Sequence, residues 1–218
     1  MADPDFQLDP EHLAALSHRA KRQIRQRMRA TRQAYPSTAV AARSAKICER
    51  LLALPILAGA KAVASFAPLL ERREVDLRPL DEALRHRGVA LYYPFMDPTP
   101  TGYRTGFRKV ERPDDLVPRQ QPFAEPPPDA PEARRGDIDV VLVPALAVAA
   151  DGHRVGYGMG YYDATLPDVV PPAISVVVAF DFQLLTELPH EAHDRACDWV
   201  VTDAREIDVR GGVPSDRR

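Results

Sequence analysis

The sequence is poor in the features that mark specialised classes of protein. Only two cysteines, Cys48 and Cys197, occur in 218 residues, without C-x-x-C spacing. That argues against a disulfide framework or a structural zinc site and fits a reducing, cytoplasmic setting. No secretory leader is read at the N-terminus. Long hydrophobic runs are missing too: the longest apolar stretch, residues 140–150, is interrupted by Pro144 and falls far below the roughly 20 residues that span a bilayer. A soluble protein without a membrane partner is expected. Neither sign of charge dominates, with 29 Lys and Arg against 31 Asp and Glu and a formal net charge of -2, so bulk attraction to nucleic acid is not indicated. Aromatics amount to 7%, and none is interleaved with the arginines near the N-terminus. A base-stacking RNA surface therefore has little support.

What is present is helical periodicity followed by short β-branched runs. Between residues 9 and 33, Leu13, Leu16, Ala20, Ile24 and Met28 recur at three- and four-residue steps, which predicts an amphipathic helix ended by Pro36. Ser37 or Thr38 would cap a second helix carrying Val40, Ile47, Leu51 and Leu52 up to Pro55. Residues 61–66 and 89–93 bracket a helical stretch over 77–87, with Asp76 as N-cap and Gly88 at its end, a βαβ unit. Residues 140–143, 174–180 and 199–201 read as buried parallel strands. The expectation is one α/β domain over residues 1–210, a three-layer sandwich with a mostly parallel sheet flanked by helices, preceded by two N-terminal helices. Residues 111–136 hold seven of the 22 prolines and read as a loop, and residues 211–218 as a disordered tail.

The most informative stretch is Asp151-Gly152-His153-Arg154-Val155-Gly156-Tyr157-Gly158-Met159-Gly160-Tyr161-Tyr162-Asp163, where four of the eleven glycines fall within nine residues. It follows a strand ending at Pro144 and precedes a short helix, a context in which backbone N–H groups converge on an anion. The spacing is neither the dinucleotide fingerprint nor a Walker A loop, and a plain tight turn is the competing reading. Arg154 could neutralise phosphate or be a surface charge; Asp163 could hold magnesium or cap the helix. Arg22, Arg25, Arg29 and Arg32 lie at helical spacing, as a solvated face or as cations for a triphosphate. Glu74 and Asp76 could bind a heterocycle or cap a helix. The run from Pro189 to Arg195 is a weak zinc signature; oxygen ligation of magnesium by Asp194 is simpler.

Taken together, these pieces resemble the 5-formyltetrahydrofolate cyclo-ligase family over nearly the whole chain. The resemblance runs from Lys21-Arg22-Gln23-Ile24-Arg25 through Glu74-Val75-Asp76, Glu125-Pro126 and residues 139–163 to Gln183, Pro189 and His193-Asp194. It implies ATP- and Mg2+-dependent closure of 5-formyltetrahydrofolate to 5,10-methenyltetrahydrofolate, in a monomer or weak homodimer. By likeness, Lys21, Arg25, Arg154, Gly156, Tyr157, Gly158, Met159, Gly160, Tyr161 and Tyr162 would bind ATP. Glu74, Tyr157 and Tyr161 would bind the folate, Asp163 and Asp194 the metal, and Arg154, Tyr161 and Asp163 would form the catalytic set. The sequence departs from the family pattern at Met159, Val155, Val148-Ala149 and Ala164. A thioether at 159 offers no phosphate contact where a lysine would, and the 148–149 pair would alter folate packing. Two alternatives accompany this reading: a paralogue acting on another formamide or pterin, and a nucleotide- or folate-binding protein without turnover.

Overall fold

The structure, a computed structural model, describes residues 9–119, 121–191 and 194–211. Helix α1 (Pro10–Ala34) ends where Pro36 takes up extended backbone, φ -58° and ψ 144°, and helix α2 (Ser37–Ala53) begins directly after it. Pro36 is itself the N-cap, its carbonyl accepting the Val40 N–H at 3.1 Å, so the expected side-chain cap from Ser37 or Thr38 is not used. A short helix α3 (Pro55–Ala58) leads to strand β1 (Ala62–Ala64). Helix α4 (Arg78–His86) starts with Leu77 rather than Asp76 as N-cap. Asp76 still accepts the Arg78 N–H at 3.1 Å and forks its guanidinium at 2.9 and 2.7 Å.

The remaining strands are β2 (Ala90–Thr99), β3 (Gly102–Lys109), β4 (Val117–Pro118), β5 (Ala124–Glu125), β6 (Val140–Pro144), β7 (Ala147–Ala149), β8 (Arg154–Val155), β9 (Ile174–Val178), β10 (Leu184–Leu185), β11 (Trp199–Val201) and β12 (Glu206–Asp208), with helix α5 (Tyr161–Val169) between β8 and β9. Seven of them form the main sheet in the order β12-β11-β9-β6-β1-β2-β3. The five inner strands are parallel, and β3 and β12 are antiparallel edges. Strand alternation sorts the core into two faces. Val140, Leu142, Val176 and Val178 pack with residues of α2, α3 and α4, while Val141, Val143 and Val177 pack with Leu166 and Val169 of α5. These are the two helical layers of an α/β sandwich.

Three features differ from the sequence expectations. Helix α1 has little part in those two layers; its Met28 and Ile24 pack on a second, three-stranded sheet, β10-β7-β8, while Leu13 and Leu16 of the expected apolar stripe are 50% and 53% exposed. The glycine-rich stretch does not follow β6 directly, because β7 intervenes, and the stretch itself contains β8, which pairs antiparallel with β7. The proline-rich segment carries the β4–β5 pair, and its Glu125 is buried with a carboxylate oxygen accepting the Met96 N–H at 2.7 Å. Gly211 closes a 3-10 turn; residues 212–218 lie outside the described residues.

Chain direction positions the site. From β1 the chain builds outward through β2 and β3, then returns to the other side of β1 with β6 and builds the opposite way through β9 and β11. Between β1 and β6 the order reverses, and in open parallel sheets a crevice opens there at the carboxyl ends of the strands. Gln183 braces that end: its amide donates to the carbonyls of Ala145 and Leu146 at 3.1 and 2.8 Å and accepts the Phe180 N–H at 2.9 Å.

Candidate active site

At the crevice lies a cleft of about 270 Å³, walled by Phe66 after β1, Pro144 at the end of β6, the inner side of α1 and the glycine-rich loop. Every residue that the family likeness assigns to ATP, folate or metal lines it: Lys21, Arg25, Glu74, Arg154, Gly156 to Asp163, and Asp194; the other candidates, Arg22, Arg29, Arg32 and Asp76, do not. Pro122 and Phe123 of the proline-rich segment complete the wall.

The loop is shaped by its glycines for two different reasons. Gly152 serves packing: a Cβ there would stand 2.3 Å from the Cys197 carbonyl oxygen, whose backbone it pairs with through Cys197 N–H at 2.9 Å. Gly160, at φ 68°, is the N-cap of α5, and a Cβ there would meet open space. This left-handed turn admits a close approach of ligand to backbone and aims the first N–H groups of α5 without a side chain in the way.

Cations surround the loop, each already held. Lys21, 7% exposed, donates to Asp194 at 2.6 Å and Glu191 at 3.0 Å. Burial works against its charge, but the two carboxylates outweigh it and raise the Lys21 pKa. Arg25 donates from Nε to the Gly156 carbonyl at 2.9 Å. The side chain of Arg154 bonds Asp163 at 2.6 Å and the Arg195 carbonyl at 2.6 Å. Ser17 also reaches Glu191, and the Glu191 N–H closes back on Asp194 at 2.7 Å.

Glu74 presents a different environment. It is 5% exposed, accepts the Leu69 N–H at 2.8 Å, and shares its surroundings with Tyr157, Arg32 and Arg72. Burial raises its pKa, opposed by the Leu69 N–H, the Tyr157 hydroxyl and the two guanidiniums. Tyr157 is bonded by Arg32 through its hydroxyl and flanked by the guanidiniums of Arg29, Arg32 and Arg72 at 5.6, 5.7 and 5.7 Å from its ring centre. Tyr161 is buried, its hydroxyl committed to the Gly106 carbonyl on β3. It offers the cleft its ring rather than its oxygen.

Among the described residues no three His, Cys, Asp or Glu side chains form a ready metal cage. Asp163 and Asp194 nonetheless place two hard oxygen donors in one cleft, a set that suits Mg2+, which is held by one or two carboxylates and completes its shell with waters and substrate phosphates. His193, part of the family-like pair, lies outside the described residues. Val148 and Ala149, where the sequence reading expected an effect on folate packing, are fully buried within β7 and do not line the cleft. Met159 does line it and is 46% exposed. Sequence reasoning missed Glu191, and also Phe66, Arg72 and Phe123. Arg32, left between a solvated face and a triphosphate cation, follows Lys21, Arg25 and Met28 at helical spacing and is instead buried against the Tyr157 hydroxyl.

Known proteins are similar to this chain in both sequence and architecture. The family model described as the 5-formyltetrahydrofolate cyclo-ligase family matches residues 17–203. A protein named 5-formyltetrahydrofolate cyclo-ligase from Mycolicibacterium smegmatis is 44% identical over 97 residues, covering 44% of this chain and 50% of that relative, so the matched stretch spans half its length. One of the same name from Escherichia coli K12 is 31% identical over 158 residues, covering 72% of this chain and 85% of the relative. The NMR structure of Aquifex aeolicus 5,10-methenyltetrahydrofolate synthetase superposes with a TM-score of 0.76 at 27% identity, covering 91% of this chain and 97% of that one. With the match extending from the first helix to the last parallel strand, the chain belongs to the 5-formyltetrahydrofolate cyclo-ligase family.

Proposed function

We propose that the protein converts 5-formyltetrahydrofolate to 5,10-methenyltetrahydrofolate with consumption of ATP. The observation that carries this reading is one cleft holding both a backbone cradle with three cations, Lys21, Arg25 and Arg154, and a buried carboxylate, Glu74, ringed by aromatic and guanidinium groups. The first set suits a triphosphate and the second the polar edge of a reduced pterin.

The formyl group on N5 is amide-like, and its oxygen is a poor leaving group. In the proposed reaction that oxygen attacks the γ-phosphorus; the new O–P bond forms as the bridging bond to ADP breaks. N10 then attacks the formyl carbon and gives up its proton, and the C–O bond breaks as phosphate leaves. Phosphoryl transfer asks little of the protein beyond alignment and charge neutralisation, so cations and backbone N–H groups serve without a protein nucleophile. With ATP bound, Arg154 and Lys21 would turn from their carboxylates toward phosphate oxygens, and Asp163 and Asp194, so released, would be the residues to hold Mg2+. The metal, when bound, offsets charge on the transferring phosphoryl group. Phe66 and Phe123 exclude water from the reacting centre.

The test is near-ultraviolet absorbance of the conjugated product, with 5-formyltetrahydrofolate, ATP and Mg2+ omitted in turn. A signal that needs all three supports the reading. Folded protein that binds ATP but gives no signal would move it to a paralogue with another substrate, or to a binding protein without turnover.

A further inference from the structure

The proline-rich segment reaches the cleft through Pro122 and Phe123. Both sit at the tip between β4 and β5, strands of two residues each that pair Val117 with Glu125 and Pro118 with Ala124. Pro118 has no N–H to give, both residues of β4 are exposed, and a lone hairpin of this length does not hold its own shape in water. The tip is fixed from outside the hairpin.

Two neighbouring residues of β2 do this. After the tip, Glu125 is buried and one of its oxygens accepts the Met96 N–H at 2.7 Å. Before the tip, Arg119 lies 3.6 Å from Asp97 and 4.0 Å from the second Glu125 oxygen. Arg119 and Glu125 are thus both drawn to Met96 and Asp97, which closes the chain between them into a short loop. A carboxylate taken this far out of water is tolerated where it is hydrogen-bonded and paired, and that ties Glu125 to this one place. Glu125 does not itself line the cleft; Phe123 does, while packing partly against the core cluster that holds Met96, Phe107 and Tyr161. With Phe66 and Pro94 it makes an apolar wall, whereas Lys21, Arg25 and Arg154 come from α1 and β8. Such a wall suits the ring system of a reduced folate rather than a triphosphate.

We propose that Glu125 is a positioning residue for the folate substrate: its hydrogen bond to β2 holds the hairpin tip so that Phe123 stands in the cleft as the wall against which the folate rings pack. This inference rests on the function proposed above. No bond of the reaction involves Glu125, and its effect reaches the substrate through Phe123. Losing the clamp should therefore weaken folate binding by as much as losing the Phe123 ring, and losing both should cost no more than losing one. ATP, held by the cations and the glycine-rich loop, should bind as before.

The test is steady-state kinetics of the full chain by product absorbance, each substrate varied at saturation of the other. Glu125→Ala and Phe123→Ala are each expected to raise the folate KM about tenfold, and the double variant no more than about twofold further, while the ATP KM changes less than about threefold in all three. Glu125→Gln keeps an oxygen to accept the Met96 N–H and should stay within about threefold of the parent for both substrates. A general loss of stability would lower the folded fraction, and with it apparent kcat, but leave both KM values in place. If Glu125→Ala does not fold, Glu125→Asp, which draws the carboxylate back by one carbon from the Met96 N–H, carries the same expectation. The proposal is overturned by an unchanged folate KM, by a rise shared equally with ATP, by single effects that multiply in the double variant, or by Glu125→Gln as impaired as Glu125→Ala. If the parent protein itself forms no methenyl product, the cyclo-ligase reading fails and this proposal falls with it; if the parent turns over and the variants keep its folate KM, only the proposal fails.

Discussion

Two carboxylates of this protein are sealed from water to nearly the same degree, Asp81 at 6% and Glu74 at 5% exposure, and burial raises the pKa of both. Their surroundings differ. Asp81 lies on α4 in the helical layer, where one oxygen accepts the Tyr93 hydroxyl at 2.7 Å, the other makes no hydrogen bond within normal geometry among the described residues, and Ser65 and the Arg85 charge act on the group. Glu74 lies at the cleft, held by a backbone N–H and ringed by Tyr157, Arg32 and Arg72, side chains that come from the glycine-rich loop, α1 and the turn after β1. Desolvation alone does not separate a functional carboxylate from a structural one. What separates them here is that Asp81 faces the single cation Arg85 in a closed layer, whereas Glu74 faces Arg32 and Arg72 at the opening of a ligand-sized cleft.

The largest effects should fall on activity and on one side of that comparison. Arg154→Ala and Glu74→Gln are each expected to lower kcat/KM about 10³-fold, as loss of a preorganised charge or of a buried polar recognition group does. Asp81→Asn should stay within about twofold of the parent, since it touches neither cleft nor loop. Steady-state kinetics by product absorbance decides this. Equal damage from Asp81→Asn would erase the distinction between interior and site.

On stability the order reverses. The Asp81 carboxyl is pushed up to about 6, mainly by burial, against the Tyr93 hydroxyl acting the other way. Its unfolded-state value is about 3.9, so between roughly pH 4 and pH 6 the folded chain holds the proton more tightly than the unfolded one. The contribution to stability is therefore complete at the acid end and is lost as pH rises through the folded-state value. About two pH units at about 1.4 kcal/mol each give a loss on the order of 3 kcal/mol. Asp81→Asn keeps an acceptor for Tyr93 and removes the titration. Its stability relative to the parent, from urea unfolding at several pH values, should rise across this window and then level off. A difference that stays flat would show that Asp81 is not neutral in the folded protein at the acid end.

The same contrast explains what was legible in the sequence. Residues 140–143, 174–180 and 199–201 announced the inner strands because a strand covered on both faces is a continuous β-branched run. The edge strand β3 did not, since Phe107 and Arg108 are its only fully buried side chains and the rest reads as polar hairpin. In α1 the pattern gave the helix and the inward side of Ile24 and Met28 but not what is buried beside them. Leu13 and Leu16 are exposed, whereas Lys21 and Arg32 are buried, because their partners Asp194, Glu191 and Tyr157 lie 125 to 173 residues away along the chain. No local periodicity encodes a long-range ion pair. The family motif supplied Lys21 and Arg25, but Glu191 and the pairing of Arg32 with Tyr157 needed the fold.

The smallest effect sharpens the comparison at the level of backbone. At Gly152, packed on Cys197, a Cβ would stand 2.3 Å from a carbonyl oxygen, whereas a Cβ at Gly160 meets nothing within 4 Å. Gly160→Ala should therefore cost only the left-handed conformation at φ 68°, about 1 kcal/mol, or roughly 2–4 °C in melting temperature. That open side is the space the proposed reading gives to phosphate. The added methyl would then raise the KM for ATP, by about tenfold if it displaces one backbone contact worth about 1.4 kcal/mol, and leave the folate KM and kcat nearly unchanged. Calorimetric titration of ATP into the variant checks it directly. If ATP affinity holds while folate affinity drops, the open side of the turn faces the pterin, and the two halves of the cleft must be exchanged.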